Sequence, residues 1–434
     1  MVFQLLQNCF EIMGAKKKVI VVGAGFAGVH IVRRLEEKLF DVLLIDKINH
    51  HQFQPLFYQV ATSQLEPASI SFPIRHVFRN KKNLQIRLAE VIGLDSENNT
   101  LSTSIGSFEY DYLVIATGCT TNFYGNSSIC RNSFPLKTTY DAILIRNHLL
   151  KTFEKIVSAE DIEKEGLLNL VIVGAGPTGV ELAGALAEIK SNILPKDYPG
   201  IDFAKLKIIL VEGSENTLNS MSTLARENSR KYLERMGVTI KTETFVKDYD
   251  GLKIELSNGE SIKSKTVIWA AGITGNIISG LPDNSIVHGN RILVDRHNKV
   301  YHTENVYAIG DVTLMKTPKY PDGHPQVANV AINQAKNLAK NLKRNIKGKP
   351  LVQYEYQDLG SMATIGRNKA VVDFNFISLK GYFAWFIWMF LHLMLILSVK
   401  NKLIIFINWA WAYITKNTSL RIILSKQPHL EEDL

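Results

Sequence analysis

Cysteine is scarce: Cys9, Cys119 and Cys130 are the whole complement. Three thiols cannot build a disulfide framework, and none stands in a Cys-x-x-Cys pair of the kind that binds zinc. A reducing compartment is the simplest setting for such a chain. Tryptophan is nearly missing from most of the sequence, where Trp269 stands alone until Trp385, Trp388, Trp409 and Trp411. Carboxylates fall away after Gly360. Asp373 is the only one before Glu431-Glu432-Asp433, against eight lysines and arginines from Arg367 to Lys426. Basic and aromatic residues around runs of Leu, Ile and Phe suit a lipid interface; a nucleic-acid surface would set its cations on a polar face, so nucleic acid is not an expected partner. What is abundant is core material. The 434 residues are 46% hydrophobic and 21% charged, with a formal net charge of +9, which excludes a disordered chain and suggests two or three domains.

Residues 18–28 read Lys-Val-Ile-Val-Val-Gly-Ala-Gly-Phe-Ala-Gly. A β-branched strand runs into Gly-x-Gly-x-x-Gly at Gly23, Gly25 and Gly28, with Ala24, Phe26 and Ala27 between. A helix is expected over 29–39, then an apolar strand over 42–45 ending at Asp46. The first glycine permits a tight turn, the second lets backbone approach a pyrophosphate, and the third lets helix lie on strand. The helix start favours the phosphates, and the acid can accept the ribose hydroxyls.

The unit recurs. Leu170–Glu188 carries Gly174, Gly176 and Gly179, and the strand expected over 207–211 ends at Glu212 after an insertion with two prolines. An acid there, with no arginine directly following, favours NADH over NADPH. Two fingerprints in one chain point to two dinucleotides, a flavin and a nicotinamide. The short strands Tyr112–Gly118, with Thr117, and Val267–Gly272, with Ala271, are expected to return the chain to each nucleotide domain. Val306–Asp311 ends in Gly310-Asp311, read as a flavin contact, with a cap for a helix expected over 326–342 as the ordinary alternative.

The two fingerprints, the Ala-Thr-Gly at 116–118, the Ala-Ile-Gly-Asp at 308–311, the segment Gln54–Thr62, the segment Gly360–Arg367 and the Trp-rich tail together resemble the type II NADH dehydrogenases, single-subunit NADH:quinone oxidoreductases. The resemblance runs from about Lys16 to the C-terminus. It implies an α/β fold with two Rossmann-like dinucleotide-binding domains, an FAD domain over 16–125 and 290–350 and an NADH domain over 126–289 nested in it, followed by a membrane-anchoring helical region over 351–434. Non-covalent FAD would be held by Gly23–Gly28, Asp46, Lys47, Val91, Thr117, Gly118, Gly310, Asp311 and Ala328. NADH would be held by Gly174, Gly176, Gly179, Glu212, Ala271 and Gly272. The family's active-site glutamate falls on Glu181, whose ordinary alternative is a carboxylate favoured by the helix dipole. Where the family often carries Ala-Gln-x-Ala-x-Gln, this chain has Ala328-Asn-Val-Ala-Ile-Asn333, so Asn329 and Asn333 join Gln54 as quinone candidates; two solvent-facing amides are the alternative.

The run 381–399 would span roughly 28 Å as one helix, so its length permits a crossing. The run 403–414 is too short, and Lys400-Asn401-Lys402 is read as a basic turn between them. The resemblance favours a monotopic arrangement with tryptophans at headgroup level, on the cytoplasmic face of a bacterial inner membrane. It implies oxidation of NADH and reduction of ubiquinone or menaquinone without ion pumping, and is compatible with a homodimer. Two rivals share the fold: a sulfide:quinone oxidoreductase, which needs paired cysteines by the flavin, and an NADH-binding flavoprotein of the apoptosis-inducing-factor kind. His50-His51 reads as a loop pair, His392 as a satisfied interfacial histidine, and Cys119 as a small residue near FAD. Residues 1–15 read as an extension, with Met13 a candidate start.

Overall fold

The computed structural model describes residues 15–160, 165–417 and 420–423. The N-terminal extension, with Cys9, and the acidic C-terminus lie outside them. The chain forms two compact units. One holds residues up to His51, Phe72–Thr120 and Ile273–Gln357; the other holds Gln52–Ser71, Thr121–Gly272 and Asp358 onward. Four stretches fall differently from the sequence division: residues 52–71 and 121–125 belong to the second unit, and residues 273–289 and 351–357 to the first.

In the first unit, five parallel strands stand in the order Val306–Ala308, Tyr112–Ile115, Lys17–Val22, Phe40–Asp46, Leu84–Leu88. The helix Phe26–Arg34 connects the third to the fourth. It is shorter than the expected 29–39 at its end and starts earlier, directly at the glycine turn. Parallel strands are covered on both faces, which is why Val19–Val22 is continuously apolar and buried rather than alternating. A three-stranded antiparallel sheet, Val91–Asp95, Thr100–Thr103 and Gly106–Glu109, precedes the return strand.

The second unit repeats this plan. Its five parallel strands run Phe134–Pro135, Thr266–Trp269, Asn169–Val173, Lys207–Val211, Val238–Lys241. The helix Pro177–Asn192 follows the second fingerprint, and another three-stranded antiparallel sheet, Val246–Tyr249, Lys253–Leu256 and Ser261–Lys263, precedes the return strand. Both return strands lie beside a fingerprint strand, as expected.

The C-terminal part of this unit is a sheet of three strands, Ser361–Gly366, Lys369–Phe374 and Ile377–Lys380, then helices Tyr382–Leu395 and Val399–Thr415. The single 381–399 helix is not formed. The first helix has 14 residues, and Ile396 leaves helical geometry at ψ 133. Ser398 then caps the second helix, accepting from the Asn401 N–H, which is the usual role of serine at a helix start. Lys400 and Lys402 therefore sit inside the second helix's first turn, and the Lys402 Nζ reaches back to the Met394 carbonyl at 3.1 Å. Among the described residues, no helix is long and apolar enough to cross a membrane.

Candidate active site

Strand Lys17–Val22 runs into Gly23 at φ +99, where a Cβ would lie 2.5 Å from the Ala116 carbonyl oxygen. Gly174 repeats this at φ +101, with the Ala270 backbone 2.7 Å from its Cβ position. Left-handed backbone pressed onto a neighbouring strand admits only glycine. At Gly28 and Gly179 a Cβ would fall 1.8 Å from the carbonyl oxygens of Gly23 and Gly174. The middle glycines differ. A Cβ at Gly25 or Gly176 would meet nothing within 4 Å, so each fronts an open cradle that a side chain would fill. No side chain caps the helix beyond either one, which leaves its dipole and N–H donors to a phosphate. The two turns fit dinucleotide pyrophosphates.

The strand-end acids are fixed from the same turns. Asp46 accepts from the Ala24 N–H at 2.6 Å and the Ile48 N–H at 2.9 Å. Burial raises its pKa, and those two N–H groups oppose the rise. Glu212 accepts from the Ala175 N–H at 2.5 Å on one oxygen, and from the Ser214 N–H and hydroxyl at 2.8 and 2.7 Å on the other. Each carboxylate keeps lone pairs for ribose hydroxyls.

The other expected flavin residues are also placed in the first unit. Thr117 donates its hydroxyl to the Asn276 carbonyl at 2.5 Å, and Gly118 follows at φ +68. Asp311 accepts from the Cys119 thiol at 3.2 Å. The helix over 328–346 begins at Ala328 with Val327 as its cap, so Asp311 is no helix cap. Gly310 lies against Ala27 and Ala331, and its N–H donates to Gln334 Oε1 at 2.7 Å. Lys47 is exposed and Val91 half-buried. In the second unit Ala271 is half-buried, and Gly272 at φ +92 lies under the Tyr124 hydroxyl.

Two residues of the flavin unit were missed in the sequence. Gln334, fully buried, holds the Gly310 turn; an amide following a small-residue helix face was the available signal. His51, read as a loop residue, is 1% exposed and its Nδ1 pairs with the Ala24 carbonyl at 2.8 Å. It braces the phosphate turn, and burial lowers its pKa to about 4.

The quinone candidates are divided between the two units. Gln54 is exposed in the second unit, with Lys137 Nζ at 3.4 Å. Asn329 and Asn333 belong to the first unit, are half-buried rather than solvent-facing, and bond to each other at 2.8 Å.

The second unit instead contains a cavity of about 650 Å³. It lies between the helix Pro177–Asn192, the short helix Phe57–Ala61 and the C-terminal segment. Glu181 lines it, 8% exposed, and accepts from the Thr364 N–H at 3.3 Å. Burial pushes its carboxyl up to about 8, opposed only in part by the Thr364 N–H and the Trp388 indole. Trp409 donates from Nε1 to Gln59 Oε1 at 2.8 Å, and Gln59 Nε2 donates to the Tyr58 hydroxyl at 2.8 Å. Trp388 stacks on His392 at 4.1 Å and lies 5.6 Å from Trp409. Trp388 and Trp409 are thus buried, not at headgroup level. Being aromatic and amphipathic, they suit an enclosed site as well as an interface. His392 is likewise buried rather than interfacial, with its Nδ1 on the Trp388 carbonyl at 2.8 Å.

Residues 17–335 match the pyridine nucleotide-disulphide oxidoreductase family, and residues 359–418 match the NDH2 C-terminal domain. The type II NADH:quinone oxidoreductase NdhA of Mycobacterium tuberculosis is 31% identical, covering 95% of this chain and 91% of its own length. The chain belongs to the type II NADH:quinone oxidoreductases. An internal alternative NAD(P)H-ubiquinone oxidoreductase A1 of Arabidopsis thaliana mitochondria is 28% identical over 92% of this chain and 85% of its own. The solved structure of NDH2 from Plasmodium falciparum in complex with NADH shares the fold, with TM-score 0.86 at 22% identity, covering 95% of this chain and all of that one. The sulfide:quinone oxidoreductase of Aquifex aeolicus also shares it, with TM-score 0.72 at 20% identity over 89% of this chain and 92% of its own, so fold alone does not separate the two chemistries. As a type II NADH:quinone oxidoreductase, the protein is a flavin-dependent enzyme with NADH as donor and quinone as acceptor. The cysteines agree with that assignment: Cys130 is exposed and Cys119 is bonded to Asp311.

Proposed function

We propose that the cavity of the second unit receives the quinone head group and that Glu181 is its proton donor. The observation that carries this is a buried carboxyl inside an aromatic-lined cavity of about 650 Å³, within the size range of small-molecule sites; burial favours its protonated form. FAD, held by the Gly23–Gly28 turn and Asp46, supplies the two-electron chemistry between NADH and quinone. The second turn and Glu212 hold NADH. Trp388 and Trp409 present flat apolar walls to a quinone ring, Tyr58 and Gln59 present hydrogen bonds to its carbonyls, and Glu181 can deliver a proton to one oxygen. Electron transfer in this reading is not coupled to ion pumping.

Glu212 supports a preference for NADH, because a 2′-phosphate would be repelled by the carboxylate. Glu212→Ala should lower kcat/KM for NADH roughly tenfold to a hundredfold, as expected for losing a charged hydrogen bond, and should raise the relative rate with NADPH. Comparable NADH and NADPH rates in the unmodified enzyme would remove Glu212 from this role.

The C-terminal helices support docking on a lipid surface. Ala384, Trp388 and His392 line the buried side of one, while Phe383 and Phe390 are 76% and 61% exposed; on the other, Trp411 and Ile414 are 61% and 79% exposed. Each large apolar side chain buried in lipid is worth about 2 kcal/mol. A variant with Phe383→Ser, Phe390→Ser, Phe406→Ser and Trp411→Ser should therefore fail to float with phospholipid vesicles, while still reducing ferricyanide with NADH. Undiminished flotation would sink the lipid-docking role.

A further inference from the structure

We propose that Glu188 is a second acid of this site, relaying protons from water to Glu181 through the cavity that the two carboxyls share. The inference rests on the reading of the cavity given above, and starts from stoichiometry. NADH, quinone and one proton become NAD⁺ and hydroquinone. The hydride of NADH brings two electrons and one proton; the second proton comes from water, one per turnover. A carboxyl as enclosed as Glu181 can give its proton once and must then be recharged.

Glu188 is seven residues beyond Glu181 on the helix Pro177–Asn192. Seven residues bring the chain back to nearly the same face, about 10 Å further along. Both side chains line the same cavity, and Glu188 is the more exposed of the two. Tyr58, fully buried, is within electrostatic reach of both carboxylates, which together with burial push its phenol well above the ordinary range. The shared cavity of about 650 Å³ is large enough for waters to connect the two carboxyls, each needing about 30 Å³.

The immediate surroundings fix one oxygen of Glu188 and leave the other to the cavity. Its Oε1 accepts from the Arg367 N–H at 2.5 Å. A Cβ at Gly366 would fall 2.8 Å from that oxygen, so a side chain there would push the Glu188 carboxyl aside. The charged and titratable groups around it are Glu181 on its own helix, and Tyr58, Arg235, Arg367, Lys369, Tyr413 and Lys416 on the other segments lining the cavity. Burial raises the Glu188 pKa, against the Arg367 N–H and the charges of Lys369 and Arg367. That balance keeps proton exchange closer to neutral pH than for a free carboxyl.

A purely structural role, holding the Arg367 N–H, is separable. Glutamine keeps a carbonyl acceptor for that bond but carries no exchangeable acid; aspartate keeps the acid. Flavin-loaded Glu188→Gln is expected to melt at the unmodified temperature and to reduce ferricyanide, which accepts electrons without protons, at the unmodified rate. Quinone turnover should fall roughly tenfold to a hundredfold, its alkaline limb should move to lower pH, and Glu188→Asp or added imidazole should recover part of the loss. If Glu188→Gln leaves quinone turnover and its pH profile unchanged while Glu181→Gln is slow, the relay is wrong and the role of Glu181 stands. If both variants are fast, the reading of the cavity fails as well. If Glu188→Gln lowers the melting temperature and both activities together, Glu188 is structural only and the relay is overturned.

Discussion

Glu181→Gln should slow NADH:quinone turnover about a hundredfold while ferricyanide reduction and flavin content stay unchanged. The size follows from the contribution of a positioned general acid, 10²–10⁴-fold at the extremes, with the amide retaining the shape of the site. The pH dependence is more discriminating. With its carboxyl raised to about 8, Glu181 is protonated through the neutral range, so turnover that needs the acid should hold up to about pH 8 and then fall. The glutamine variant should lack that limb. The same shift has a stability consequence of fixed sign. Between the ordinary carboxyl range and pH 8, the folded protein holds a proton that the unfolded chain has lost. This contribution is fully present at low pH and disappears as pH rises through that window. Glu181→Gln should flatten the decline of the melting temperature between pH 5 and about 8. A quinone rate and pH profile identical to the unmodified enzyme would take Glu181 out of the chemistry.

The parts of this site that the sequence revealed are those whose physics is local. A buried strand, three glycines and a strand-end acid at fixed spacing can be read because backbone clearance and helix-dipole effects act within about thirty residues. Both fingerprints and the acids Asp46 and Glu212 were legible for that reason. The cavity was not. Gln59, Glu181, Thr364, Trp388 and Trp409 come from segments separated by up to 350 residues, and nothing in their local spacing announces that they meet. Within the segment Gln54–Thr62, the helical turn Phe57–Ala61 buries Gln59 and leaves Gln54 exposed, a difference set by tertiary packing that the segment alone does not carry. In the tail the two apolar runs are legible but the break between them is not: it falls at Ile396–Ser398 rather than at 400–402, where Ser398 caps the second helix.

Gly184→Ala should detach quinone chemistry from nucleotide chemistry. Two effects of this substitution oppose each other, and their sizes decide the outcome. Alanine in a helix interior is favoured over glycine by about 1 kcal/mol, so a helix that merely tolerated Gly184 would be stabilised. Here a Cβ would lie 1.8 Å from the Ile365 carbonyl oxygen and 2.7 Å from its carbon. These are backbone atoms, with no rotamer to swing aside. Relief requires moving the strand Ser361–Gly366 away from the helix Pro177–Asn192, at a cost of up to about 3 kcal/mol for overpacking, which outweighs the helical gain. The displaced strand carries the Thr364 N–H that faces Glu181 and leads into the Arg367 N–H that holds Glu188. The variant should therefore expose the segment after Gly360 to limited proteolysis and lose most quinone turnover. NADH should still bleach the flavin, since the Gly174–Gly179 turn and Glu212 lie on the far side of the helix start. A variant as resistant to protease as the parent, or more stable than it, would show that the helix and strand do not approach this closely.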